Sequence, residues 1–116
     1  MGNKVVHWEV SGKDAKKLQG FYAKLFDWTV DANNPMDYGM VQPDDAGVGG
    51  GISPNPPGAD NHVTFYVAVP DLQAALDKAA ELGGQIASPP MEVPDGPTIA
   101  HFIDPAGNMI GLLKGE

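Results

Sequence analysis

The chain has 116 residues, 42% of them hydrophobic, with 15 glycines, 11 prolines and a formal net charge of −8, the make-up of one globular domain rich in short strands and turns. Seven basic residues against fifteen acidic ones give the wrong sign for phosphate backbones or anionic lipid, so neither nucleic acid nor a membrane is an expected partner. There is no cysteine, which removes disulfides, thiolate metal sites and cysteine nucleophiles, and the lack of an apolar run of about 18 residues or of a basic-then-apolar leader makes the cytoplasm the expected compartment.

Val6, Trp8 and Val10 alternate with Val5, His7 and Glu9, the period of two that marks a strand with one apolar and one functionalised face. Ser11 and Asp14 then read as a helix start, with the serine hydroxyl available to cap an orphan amide. Leu18, Phe21, Tyr22 and Leu25 recur at helical spacing as far as Asp27-Trp28. Strands are expected over residues 28–31, 37–42 and 48–53, with the turn Asp44-Asp45-Ala46-Gly47 before the last. Met36, Tyr38 and Met40 read as core or cavity wall. Gly49-Gly50-Gly51 lacks the lysine and the helix of a phosphate loop, and reads instead as a place of close approach.

A linker follows over residues 54–60, stiffened by Pro54, Pro56 and Pro57. In the next strand Val63, Phe65 and Val67 alternate with His62, Thr64 and Tyr66. Pro70-Asp71 opens a second helix with Leu72, Ala75, Leu76 and Ala79 on one stripe, and Gly83-Gly84 closes it. Strands at 85–87, 98–103 and 109–114 complete the chain, with residues 88–96 a loop long enough to act as a rim or lid. His101 sits on a strand whose facing the pattern does not fix.

The second half repeats the first: Asp14 and Asp71 are 57 residues apart, and the turn at 44–47 matches Asp104-Pro105-Ala106-Gly107. The expected fold is α+β, a single domain over 1–116 made of two βαβββ units at about 1–53 and 61–116. Each unit is expected to form a four-stranded mixed sheet with its helix over the apolar strand face. A half of this size covers its sheet poorly, so the two sheets should enclose a cavity, within one chain or by exchange in a homodimer. Its lining is expected from His7, Glu9, His62, Thr64 and Tyr66.

Four signatures in order, His7-Trp8-Glu9, Gly20-Phe21-Tyr22 through Phe26-Asp27-Trp28, Leu82-Gly83-Gly84, and Phe102-Ile103-Asp104-Pro105-Ala106-Gly107-Asn108, together with the repeat, resemble the glyoxalase, bleomycin-resistance and extradiol-dioxygenase (vicinal oxygen chelate) superfamily, in its small glyoxalase-related branch. The resemblance implies four metal-ligand positions, which fall on His7, Gly51, Thr64 and Gly111. Only His7 carries a donor there, and His62 lies one rung from Thr64, about 6–7 Å along the strand. A divalent ion needs three or four protein ligands, so no cofactor is expected, a divalent metal at a non-standard site being the alternative.

The expected function is metal-independent binding of a small organic molecule by His7, Glu9, His62, Thr64 and Tyr66. The alternative is a lyase, isomerase or dioxygenase of the superfamily, with Glu9 as general base and His7 or Tyr66 as hydrogen-bond donor, these three being the candidate catalytic residues. Glu9 as a structural ion pair and His7 as a histidine hydrogen-bonded in the cavity are the simpler readings of the same residues.

Overall fold

The computed structural model describes residues 2–42, 47–94 and 96–115. Among the described residues eight strands and two helices follow in the order β1 (Val5–Gly12), α1 (Ala15–Phe26), β2 (Val30–Asp31), β3 (Gly39–Val41), β4 (Gly50–Pro54), β5 (Val63–Val69), α2 (Leu72–Glu81), β6 (Gln85–Glu92), β7 (Thr98–Ile103) and β8 (Met109–Lys114). This is βαβββ twice, the α+β class expected. Within each half the pairing is the same: β1 runs parallel to β4 and β5 parallel to β8, and the remaining neighbours are antiparallel. The strand order is β2-β3-β4-β1 in one half and β5-β8-β7-β6 in the other, a four-stranded mixed sheet for each βαβββ unit as expected. Backbone contacts divide the chain into two compact units, His7–Thr64 (the first unit below) and Met1–Val6 with Phe65–Glu116 (the second).

The repeated aspartates start both helices. Asp14 accepts the Lys17 amide and Asp71 accepts the Ala74 amide, each satisfying an amide that has no partner within its helix. Ser11 is not the cap: β1 runs on through it to Gly12, and its buried hydroxyl turns to Asn55. The first helix ends on Asp27 in the left-handed region (φ 58°) and the second on Gly83 (φ 105°), where glycine has no Cβ to clash.

In the second unit Val69, Leu72, Leu76, Ala100 and Leu112 form the core, with Val67, Ala75 and Phe102 against it. The expected apolar face of β5 therefore does pack under α2 at one end, whereas Val63 and Phe65 at the other end are exposed. In the first unit the inward face of α1 is Ala15, Leu18, Gln19 and Tyr22, and Phe21 and Leu25 from the expected stripe are 57% and 58% exposed. Gln19 is the reason. Its amide donates to the carbonyls of Asp37 and Ile52 at 3.0 and 2.8 Å, and Gly39 leaves no room for a Cβ beneath it, so the helix is drawn in on this polar residue.

Residues 88–92, expected to be part of a loop, continue β6 along β7 with register shifts on either side of Ser88. Pro89 and Pro90 are tolerated because β6 is an edge strand, so one of the two missing amides faces outward, and the register shift between Ser88 and Met91 takes the other out of the ladder. Asp95 of that segment, and Asp44, Asp45 and Ala46 of the expected first-unit turn, lie outside the described residues.

Candidate functional site

On β1, alternation puts His7, Glu9 and Ser11 on one face. Glu9 faces Gly51 across the β1–β4 ladder, and the absence of a side chain at Gly51 makes space for a ring. Tyr38, the residue before β3, fills it: a Cβ built on Gly51 would lie 2.0 Å from the phenol carbon and oxygen. The Tyr38 hydroxyl is 2.7 Å from His7 Nε2 and donates to Glu9 Oε2 at 3.1 Å, and the two rings lie nearly parallel at 16°. Since that proton goes to Glu9, Nε2 is the protonated nitrogen of His7 in this pattern. Burial lowers the His7 pKa from the ordinary 6.5, with the Glu9 charge acting in the opposite direction.

The network continues past Glu9. Its Oε1 is 2.8 Å from His62 Nε2, and His62 Nδ1 is 3.0 Å from Ser11 Oγ. Ser11 Oγ accepts the His62 amide and donates to Asn55 Oδ1 at 2.6 Å, while Asn55 Nδ2 donates to Asn61. One chain of hydrogen bonds thus joins His7, Tyr38, Glu9, His62, Ser11 and Asn55 within the first unit. The loop before β3 is held for this purpose by Asn34, whose side chain donates to the Tyr38 carbonyl and accepts its amide.

A related arrangement stands in the second unit. Tyr66 faces Gly111 across β5–β8 as Glu9 faces Gly51, and a Cβ on Gly111 would lie 2.3 Å from the Tyr66 ring. The Tyr66 hydroxyl is 3.0 Å from His101 Nε2, whose Nδ1 is 3.0 Å from Ser88 Oγ.

Of the expected lining residues, His7, Glu9 and His62 are brought together, Thr64 is buried in the same unit, and Tyr66 belongs to the cluster of the second unit. The facing of His101 is settled by its bond to Tyr66. Sequence reasoning missed Tyr38 and Ser11 as members of the network. The available signal was the glycine run: Gly50 makes way for the Trp8 ring and Gly51 for Tyr38, so the close approach is made by neighbouring side chains.

These residues do not fit the metal that the resemblance implies. At two of its four ligand positions, Gly51 and Gly111, a tyrosine ring occupies the space a ligating side chain would need. Among the described residues no three His, Asp or Glu side chains converge to hold an ion. No described helix is long and apolar enough to cross a membrane.

Residues 4–112 match the family model described as Glyoxalase/Bleomycin resistance protein/Dioxygenase superfamily. CFP32 of Mycobacterium tuberculosis, named as a candidate glyoxylase, is 38% identical over 79 residues, 68% of this chain. The chain spans only 30% of the length of that relative. Among solved structures, a hypothetical protein, BH1468, from Bacillus halodurans superposes with a TM-score of 0.72 at 12% identity, covering all of this chain and 96% of the other. Methylmalonyl-CoA epimerase from M. tuberculosis gives 0.71 at 11% identity over 97% and 87% of the two chains. A superfamily member from Vibrio splendidus gives 0.65 at 19% identity over 98% and 100%. At these identities the likeness is one of fold.

Proposed function

Taking as premise that the chain belongs to the Glyoxalase/Bleomycin resistance protein/Dioxygenase superfamily, we propose that it is a metal-independent small-molecule binding protein acting from the cytoplasm. The observation that carries this reading is the pair of tyrosine rings over Gly51 and Gly111, which put aromatic and hydroxyl groups where metal ligands would stand. The binding groups are those of the first-unit network. His7, Glu9 and Tyr38 set an imidazole, a carboxylate and a hydroxyl side by side, bonded to one another, and a ligand is oriented by exchanging its own polar groups into these bonds. The net charge of −8 supports a small organic partner over nucleic acid or a membrane surface.

Acid–base catalysis is the second reading, favoured by the same contact: a carboxylate bonded to a tyrosine hydroxyl, with a desolvated imidazole at 2.7 Å from that oxygen, can accept and return a proton. A thermal-shift screen of small molecules on chelator-treated protein tests the binding reading. Hits should survive chelation and weaken by about tenfold or more in Glu9→Gln and Tyr38→Phe, as expected when a hydrogen bond to a charged or buried group is lost. Hits that need added metal, or that bind both variants as tightly as the wild type, would refute it.

A further inference from the structure

The chain's charge is unevenly placed. Residues 13–27 hold Lys13, Lys16, Lys17 and Lys24 against Asp14 and Asp27, a net of +2 in a chain of −8, so the remainder carries −10. On α1 itself Lys17, Phe21, Lys24 and Leu25 stand at i, i+4, i+7 and i+8, one outward face of the helix. All four are exposed, and the two apolar members are more than half exposed, at 57% and 58%. Tyr22 and Phe26 pack beside this face, and Trp28 with them. An amphipathic helix that turns its larger apolar residues to solvent between two lysines is a surface prepared for a partner.

A partner of matching chemistry is in the same chain. In the second unit, α2 and the turn after β7 border a groove of about 360 Å³, lined by Ala75, Ala79, Leu82 and Phe102 with Lys78 and Asp104 among the remainder. Leu82 is 71% exposed, and the groove is open enough to take an aromatic side chain. Asp71 caps the far end of the same helix, and the groove lining itself holds one carboxylate, Asp104, beside one ammonium, Lys78. The Asp104 carboxylate is fixed there by the Ala106 and Asn108 amides and the Asn108 side chain. From Phe65 to Glu116 there are seven acids and two lysines, a net of −5.

We propose that the Lys17–Phe21–Lys24–Leu25 face of α1 docks into the α2 groove of a second copy of this chain. Phe21 and Leu25 enter the apolar floor, and Lys17 and Lys24 meet Asp104 and the net negative charge of the unit around the groove, Lys78 being the one cation in its lining. Both sides of the contact are thus supplied by one sequence, as opposite charges around matching apolar surfaces. The contact is heterologous, one patch against a different one. An anionic membrane, the other surface such a helix could suit, is disfavoured by the −10 carried by the rest of the chain.

The heterologous geometry gives the test. Leu25→Lys spoils the helix face and Leu82→Lys spoils the groove. Both positions are exposed enough for the fold to persist, with Phe21→Lys and Pro105→Lys standing in should circular dichroism show otherwise. Wild-type protein should self-associate in sedimentation velocity, more weakly as salt rises, and each single variant should associate roughly tenfold to a hundredfold more weakly, the loss expected for one buried leucine. Mixed one to one, the two variants should recover a pair, because one brings an intact groove and the other an intact helix face. They should form nothing larger, since the remaining faces set lysine against lysine. A wild type that stays monomeric throughout, single variants that associate as well as it does, or a mixture no better than its components would overturn the proposal. So would wild-type binding to phosphatidylserine vesicles without self-association.

Discussion

Gly111→Ala asks whether the glycines under the two tyrosines are required by packing. The added Cβ would lie 2.3–2.8 Å from three carbons of the Tyr66 ring, among them Cγ next to the backbone, so the ring cannot clear it by a small tilt. Tyr66 is 4% exposed and bonded to His101, and it has no open space to enter. Overpacking costs about 1–3 kcal/mol and loss of the tyrosine hydrogen bond about 1 kcal/mol. Stiffening of the unfolded chain returns about 0.4–1 kcal/mol. The expected net loss is roughly 1–3.5 kcal/mol, read in urea as a midpoint about 0.5–2 M lower at unchanged slope. Gly51→Ala should cost less, because its Cβ meets the far end of Tyr38, which is half-buried and can swing away. Combining Gly111→Ala with Tyr66→Ala should destabilise by at least about 1 kcal/mol less than the sum of the single changes, since the methyl then enters the space the ring has left. A Gly111→Ala protein within about 0.5 kcal/mol of wild type, or an additive double variant, would refute the reasoning.

Because burial lowers the His7 pKa below 6.5, the unfolded chain takes up this proton more readily than the folded one. The stability His7 contributes is therefore complete above 6.5 and falls as pH drops from there towards its folded value; an NMR titration should place His7 below 6.5, and His7→Gln should flatten the stability profile in that window. Hydrogen bonds from the Asn108 side chain and amide, then from the Ala106 and Gly107 amides, hold the Asp104 carboxyl below its ordinary 3.8, so Asn108→Ala should move its NMR midpoint back up. Leu76 is fully buried in the second-unit core, and Leu76→Ala should cost about 2–5 kcal/mol in urea unfolding.

The parts of this structure legible in the sequence were those set by local chemistry. Asp14 and Asp71 cap their helices, Gly83 stops α2, and the alternation over β1 and β5 puts His7 with Glu9 and Thr64 with Tyr66, as periodicity requires. What was not legible depended on partners distant in sequence. Ser11 reads as a cap until Asn55 and His62, more than 40 residues away, claim its hydroxyl. The apolar spacing of α1 suggested that Phe21 and Leu25 face inward, but a buried glutamine with two carbonyl partners set the helix rotation. Pro89 and Pro90 suggested a loop because a proline-rich strand is possible only at an edge, and strand order does not follow from periodicity. Tyr38 looked like cavity wall because nothing local shows that its ring lies over Gly51, 13 residues on.

We propose that this superfamily member, with tyrosine rings over two of its four metal positions, binds its ligand without an ion. Elemental analysis of protein purified without added metal tests that most directly. Zinc, nickel, iron and manganese together should come to well under one equivalent per chain, and the melting temperature should not move with chelator. One tightly held ion per chain, lost in His7→Ala, would contradict it.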